Sequence, residues 1–197
     1  MRTSETAPLS GGFENSVLDA TACFRVVLDA MSRPAKIHSL PVSISPPRGL
    51  SVGTVAVLLT LGDMDTPVWL APECDTAAYL RFHAGCPILD DPRQAVFAVM
   101  SVERDLSITE ELSLGSAEYP DRSATVILES EGLIEGEGPL FSGPGFDKPR
   151  RFCVEEQPAP LWSRVAINQT LFPRGLDWIF TSDSQLAALP RSTKVEV

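Results

Sequence analysis

The run Ala95-Val96-Phe97-Ala98-Val99-Met100 limits the fold more than any other stretch of the sequence. Side chains alternate across a strand, so a continuous apolar run leaves neither face for water. A strand of this kind sits in the middle of a sheet and is covered on both sides. Ala124-Thr125-Val126-Ile127-Leu128, Val68-Trp69-Leu70-Ala71 and Leu176-Asp177-Trp178-Ile179-Phe180 are further strand candidates, and Ile37 to Val42 fits a short one. Leu186 to Leu189 is a short apolar segment. Helical patterns alternate with these runs, which predicts an α/β fold: a mixed sheet flanked by helices, in an α/β/α sandwich.

The first helical pattern spans about Asn15 to Ser32. Asn15 or Ser16 can cap it, and Asp19 places negative charge in the first turn. Val17, Ala20, Phe24, Leu28 and Met31 recur at spacings of three and four and make one apolar face. Pro34 pushes Arg33 out of helical geometry and ends the element. Ser51 to Leu61 is apolar nearly all round, the pattern of a helix buried on most sides, with Gly62 as an expected left-handed cap. Asp75 is the expected cap of a third helix that ends near Ala84, before Gly85-Cys86-Pro87. A short helix is expected near Leu106–Leu112 and another from Pro160 to Thr170. Five glycines between Gly132 and Gly145 imply a hairpin or tight turns. Residues 1–12 read as a flexible N-terminal arm and 13–197 as a single α/β domain, since 197 residues suit one core. Seventeen prolines and thirteen glycines exclude a long-helix bundle.

Charge narrows the partners. The net charge of −10 repels a phosphate backbone on average, so no nucleic-acid partner is expected. Residues 1–147 hold 9 basic and 21 acidic side chains, whereas residues 148–197 hold 7 and 5. An anion meets least resistance in the last quarter. No apolar run approaches the ~20 residues that span a bilayer. The opening Met-Arg-Thr-Ser-Glu-Thr-Ala-Pro carries no apolar signal segment, which leads to the expectation of a cytoplasmic protein without a membrane partner.

The four cysteines, Cys23, Cys74, Cys86 and Cys153, form no C-x-x-C pair and are expected to be reduced thiols. Cys23 reads as core. His83 and Cys86 are three apart but lack a third ligand nearby, so no metal site is expected.

Several motifs match in letters and fail in context. Gly49-Leu50-Ser51-Val52-Gly53 has the G-x-S-x-G spacing, but Pro46-Pro47-Arg48 is no strand and His83 is the one later histidine. Ser51 reads instead as a helix cap. Asp63-Met64-Asp65-Thr66 is explained as an Asx-type turn into the next strand. Gly136-Glu137-Gly138 lacks the third glycine of a dinucleotide fingerprint, because Phe141 stands there, and acids surround it. No P-loop sequence occurs. Two C-terminal segments remain. Pro190-Arg191-Ser192-Thr193-Lys194 gathers a guanidinium, two hydroxyls and an ammonium, groups that could bind phosphate or phosphonate. Arg191, Ser192, Thr193 and Lys194 are therefore the expected anion-binding residues, against the alternative of a solvated terminal turn. Phe172-Pro173-Arg174-Gly175-Leu176-Asp177 places a turn before a strand. Asp177 and Arg174, with His83, complete the candidate site.

In order along nearly the whole chain, further segments form a pattern. They are Phe24 to Pro34; Leu58-Leu59-Thr60-Leu61 with Asp63 to Leu70; His83-Ala84-Gly85-Cys86-Pro87; Gly115 to Asp121; Leu140 to Gly145; Asn168 with Phe172 to Asp177; and Leu189 to Thr193. Together they resemble the PhnH family, a subunit of the bacterial carbon–phosphorus lyase core complex. Ala35 stands where the family pattern has glycine, and Ser192 where it has threonine. The resemblance implies a role in phosphonate catabolism. It implies an accessory or assembly component of the step that makes α-D-ribose 1-methylphosphonate 5-triphosphate. It also implies a reduced pyridoxal-phosphate-transferase fold without that cofactor, a homodimer in isolation, sister subunits as partners, and contact with a phosphonate or nucleotide-derived substrate. The lysines agree with a missing cofactor: Lys36, Lys148 and Lys194 follow no clear central strand. The alternative is a transferase or hydrolase in its own right, working through Arg191, Ser192, Asp177 or His83. A third reading is a cofactor-binding remnant.

Overall fold

In chain order the elements are α1 (Ser16–Ser32), β1 (His38–Ser39), α2 (Val52–Leu61), β2 (Val68–Leu70), α3 (Ala77–His83), β3 (Ile88–Leu89), β4 (Phe97–Ser101), β5 (Thr125–Glu129), β6 (Leu133–Ser142), β7 (Arg150–Val154), α4 (Leu161–Ala166), α5 (Asn168–Leu171), β8 (Asp177–Ser182), β9 (Gln185–Leu189) and β10 (Lys194–Glu196). The computed structural model describes residues 11–71, 76–103 and 106–196. The expected cap Asp75, Cys74 and most of the expected N-terminal arm lie outside the described residues. Short 3-10 turns occupy Pro92–Gln94, Leu106–Glu110 and Pro120–Arg122. No helix among the described residues is long and apolar enough to cross a membrane.

The apolar run forms β4, with Phe97, Ala98, Val99 and Met100 all buried. It belongs to a seven-stranded sheet of order β1-β9-β8-β5-β4-β2-β3. Strands β3, β2, β4, β5 and β8 run parallel. At β8 the sense changes, because β9 and then β1 pair antiparallel. The sheet is mixed, as expected. A second sheet of three antiparallel strands, order β10-β6-β7, contains the glycine-rich hairpin.

Strand β8 assigns the layers. Its side chains alternate, so Thr181 and Phe180 point to opposite faces. Thr181 Oγ1 lies 2.8 Å from Thr54 Oγ1 of α2, both fully buried. The Phe180 ring lies 5.4 Å from Phe152 of β7 and 5.8 Å from Trp162 of α4. One face is thus covered by α2, against which α1 packs, and the other by the small sheet with α4. The α/β fold with a mixed sheet and helices is as expected, and on the second face near β8 the cover combines the small sheet with helix α4. Aromatic rings of Phe141, Phe152, Trp162 and Phe180 fill that interface in mostly edge-to-face contacts.

Helix α2 approaches the β8–β9 turn through Gly53, whose N–H donates to the Asp183 carbonyl at 2.6 Å. A Cβ on Gly53 would stand 2.9 Å from the Gln185 carbonyl oxygen and 3.2 Å from that of Asp183. Ser51 caps the helix through its Oγ, as expected, and its own N–H donates to Glu129 Oε1. Gly62 closes the helix in extended geometry, at φ −84°, rather than as the expected left-handed cap.

Helix α1 is capped by Asn15, but its buried face is not the one drawn from spacing. Cys23, Val27 and Ala30 turn to the core, while Val17, Phe24 and Leu28 are exposed, with Leu18 beside them. The helix is apolar on two sides, so spacing alone selected the wrong one. Arg33 then leaves the helix, and Ala35 adopts φ +58° with its N–H bonded to the Ala188 carbonyl. The left-handed backbone explains why glycine suits this position. The expected strand from Ile37 to Val42 shrinks to β1. The single expected helix from Pro160 to Thr170 is two, α4 and α5, and the Leu106 segment is a 3-10 turn.

His38 ties β1 to α1. Its Nδ1 lies 3.3 Å from Asp29 Oδ2, and its buried Nε2 has no hydrogen-bond partner. Burial lowers the imidazole pKa below its ordinary 6.5; Asp29 and Glu135 oppose this, while Lys36 and Arg33 reinforce it.

Gly53→Ala should lower unfolding free energy by about 1–2 kcal/mol in urea denaturation. Overpacking costs about 1–3 kcal/mol, and helix propensity returns at most about 1 kcal/mol. An unchanged midpoint would refute the close approach. For His38 the unfolded chain binds the proton more tightly than the native one. Its contribution is therefore complete above pH 6.5 and is lost as pH falls through the lowered native value. Thermal melts of the wild type should decline across that window more steeply than those of His38→Gln.

Candidate functional site

Asp177 opens β8, and Trp178 pairs across the ladder with Leu189, the last residue of β9. The register brings Pro190 and Arg191 back beside Asp177. The Arg191 backbone N–H donates to Asp177 Oδ1 at 2.8 Å, and its Nε donates to the same oxygen at 3.2 Å. One terminal guanidinium nitrogen donates to Asp177 Oδ2 and the other to the carbonyl of Pro120. The two side chains are about 16% and 15% exposed, so this is a shielded, two-pronged ion pair.

A second knot lies beside it. The buried Asn168 side chain accepts from the Leu176 N–H at 3.0 Å and donates to the Leu176 carbonyl at 2.8 Å. Gly175 makes room: at φ +141° a Cβ would stand 2.4 Å from Asn168 Oδ1 and 3.3 Å from Arg191 Cβ. The Gly175 N–H reaches the Leu114 carbonyl. Segments around Leu114–Pro120, Asn168, Gly175–Asp177 and Arg191 therefore meet at one place. Asn168 was legible in the sequence as a matched residue, but nothing local announced its two-way bond to Leu176.

The other expected residues do not gather there as one cradle. Thr193 is buried, with its N–H on the Pro190 carbonyl and its Oγ1 unpartnered. Ser192 is half-buried, and its carbonyl faces Gly143. Lys194 is exposed at the start of β10, opposite Ser142, and no carboxylate pairs with it among the described residues. Arg174 is exposed in the turn before β8. His83 sits elsewhere, on α3, its ring 4.4 Å from Tyr79 and 4.9 Å from Phe82. It packs against Gly12, while the Tyr79 hydroxyl donates to the Gly11 carbonyl at 2.9 Å. Its Nε2 is buried without a partner.

The carboxyl ends of parallel strands are where α/β sheets usually hold ligands. Here that end carries a cavity of about 450 Å³ whose charged lining is Glu103, Glu129, Glu131, Glu156 and Asp183. Such a wall repels anions. Among the described residues no group of three or more His, Cys, Asp or Glu is placed to hold a metal ion. Cys23, Cys86 and Cys153 are free, and burial raises each thiol above its ordinary 9.0, which keeps it protonated and unreactive. Asp63 forms the expected turn, its Oδ1 accepting from the Asp65 N–H at 2.9 Å.

The sequence is also similar to those of known proteins. Residues 11–196 match the family described as bacterial phosphonate metabolism protein (PhnH). The chain is 34% identical over 197 residues to the α-D-ribose 1-methylphosphonate 5-triphosphate synthase subunit PhnH of Rhizobium meliloti (strain 1021), covering 98% of each. It is 31% identical over 84 residues to the putative C-P lyase subunit protein HtxG of Stutzerimonas stutzeri, 43% of each chain. With a match that runs from Gly11 to Glu196, the chain belongs to the PhnH family of bacterial phosphonate metabolism proteins.

Proposed function

We propose that this chain is a subunit of a carbon–phosphorus lyase complex and supports formation of α-D-ribose 1-methylphosphonate 5-triphosphate as an accessory, assembly component. The likeness that carries this reading is the full-length similarity to a subunit of that synthase. The side-chain chemistry supports it. Arg191 and Asp177 neutralise one another and tie in the Pro120 loop, the role of a clamp rather than of an acid–base pair. His83 is held against aromatic rings on another element. Neither position offers a nucleophile beside a base. The fold is further proposed to be a reduced pyridoxal-phosphate-transferase fold, working in the cytoplasm. The support is the parallel block ending at β8 and three lysines away from its acid-lined carboxyl end.

An assembly role needs a docking surface, and α1 provides one. Val17, Leu18, Phe24 and Leu28 are 72%, 66%, 48% and 58% exposed along one side of the helix. In the isolated protein the occupant is a second copy. An antiparallel two-fold contact sets Val17 and Leu18 against Phe24 and Leu28 of the partner. It also brings Glu14, at the start of one helix, toward Arg25 of the other, so apolar and charged groups are both self-complementary.

The isolated protein should show no turnover of nucleoside triphosphate with methylphosphonate, while co-expression with the sister subunits should yield a stable complex. Turnover by the protein alone at an ordinary enzyme rate would overturn the accessory reading. Phe24→Glu with Leu28→Glu should give a monomer by light scattering with an unchanged circular dichroism spectrum. A persisting dimer would exclude α1. Arg191→Ala should destabilise the fold by roughly 3 kcal/mol, because it strands the shielded Asp177 carboxylate, and a melting temperature like the wild type's would argue against the clamp.

A further inference from the structure

An acidic protein has few places where cations outnumber carboxylates around a cavity. One lies where the end of α1 meets the β6–β7 hairpin. Its volume is about 690 Å³, and it is lined by Arg33, Lys36, Glu135, Gly145, Asp147 and Arg150. Volumes of this size, about 300–1,000 Å³, hold small organic ligands.

The lining is built by backbone constraints rather than by chance exposure. The left-handed turn at Ala35 separates Arg33 from Lys36 and starts the path into β1. Gly145, at φ +85°, brings the hairpin against α1: a Cβ there would stand 2.5 Å from the Ser32 carbonyl oxygen and 2.7 Å from Pro34 Cδ. The acids are partly committed. Glu135 Oε1 accepts from the Ile37 N–H at 2.7 Å, and Asp147 Oδ1 accepts from the Lys148 N–H at 3.0 Å. Asp147 is 75% exposed and meets Arg150 only at 3.4 Å, a long contact that water screens. Arg33 pairs outside the lining with Asp29. Lys36 has no carboxylate partner among the described residues. Three cations on two elements therefore face one volume, and the best-placed ammonium is unspent.

We propose that this cavity binds a phosphoryl or phosphonyl anion, with Lys36 and Arg150 as its principal contacts and Arg33 closing the α1 side. A guanidinium presents two parallel donors to such an anion, and an ammonium adds a point charge. The acid-lined cavity at the carboxyl ends of the parallel strands would repel the same ligand, as would most of the surface. The site belongs to the isolated chain, so its failure is separable from failure of the assembly reading.

Titration calorimetry on the isolated protein tests it, with inorganic tripolyphosphate as the probe for a polyphosphate end and methylphosphonate as the probe for a carbon–phosphorus end. At least one should bind saturably, one per chain, and more weakly at high salt. Lys36→Gln and Arg150→Gln should each weaken binding about tenfold or more, the scale of a lost charge-assisted contact. Lys36→Arg should retain it. Lys194→Gln removes the same charge from β10 and should leave affinity within about twofold, since a solvent-screened charge elsewhere contributes little. Circular dichroism of each variant checks the fold. Absence of saturable binding by both probes, indifference to Lys36→Gln, or an equal loss in Lys194→Gln would each overturn the site.

Discussion

Strand β8 carries the constraint on which the rest of the molecule depends. It is the last parallel strand and the first with an antiparallel neighbour, and its two faces are committed to different layers. Thr181 on one side meets Thr54 in a buried hydroxyl pair, whose Thr54 oxygen also accepts from Ser51 Oγ at 3.4 Å. Phe180 on the other side meets the rings of Phe152 and Trp162. Because side chains alternate strictly, a one-residue slip would carry the phenyl ring to α2 and the hydroxyl into the aromatic layer. Register, layer order and the return of Arg191 to Asp177 all follow from that one alignment.

How much of this could be read in the sequence depended on whether the signal was local. The central strand was legible because six apolar residues allow one interpretation, and β5, β8 and the caps at Asn15 and Ser51 were legible for similar reasons. Helix α1 was not. Its sequence offers two apolar stripes, and periodicity cannot say which one the core takes; Cys23, Val27 and Ala30 won because small and β-branched side chains allow close packing on α2. The small sheet was legible only as a hairpin. That β10 would join it, and that the pair would cover β8, depends on contacts between residues far apart in the chain. The members of the candidate site divide in the same way. Arg191 and Asp177 were picked out as residues, yet their union depends on the β8–β9 register, which no local pattern reveals.

Electrostatics separates the two ends of the sheet. The carboxyl end of the parallel block concentrates acids, and Glu129 there is turned toward the Ser51 N–H at the start of α2. Cations instead collect where α1 meets the hairpin, outside the crevice that a parallel sheet ordinarily offers to ligands. Fold and charge thus point to different places for an anion. Charge has the stronger claim, because a crevice lined by five carboxylates opposes a phosphorus oxyanion whatever its shape.

Part of the pattern that marks the family has a structural explanation. Pro120, Asn168, Gly175, Asp177 and Arg191 come from four stretches of the chain, and each has a partner among the others or in their immediate neighbours. Outside this knot, Thr193 Oγ1 and His83 Nε2 are buried without partners; within it, the side-chain polar groups are engaged. Here the guanidinium is divided between a carboxylate and a carbonyl, and the amide is closed on Leu176. Side chains spent in this way fix the shape of the protein's surface, and a fixed surface is what a subunit needs in order to be recognised by its neighbours.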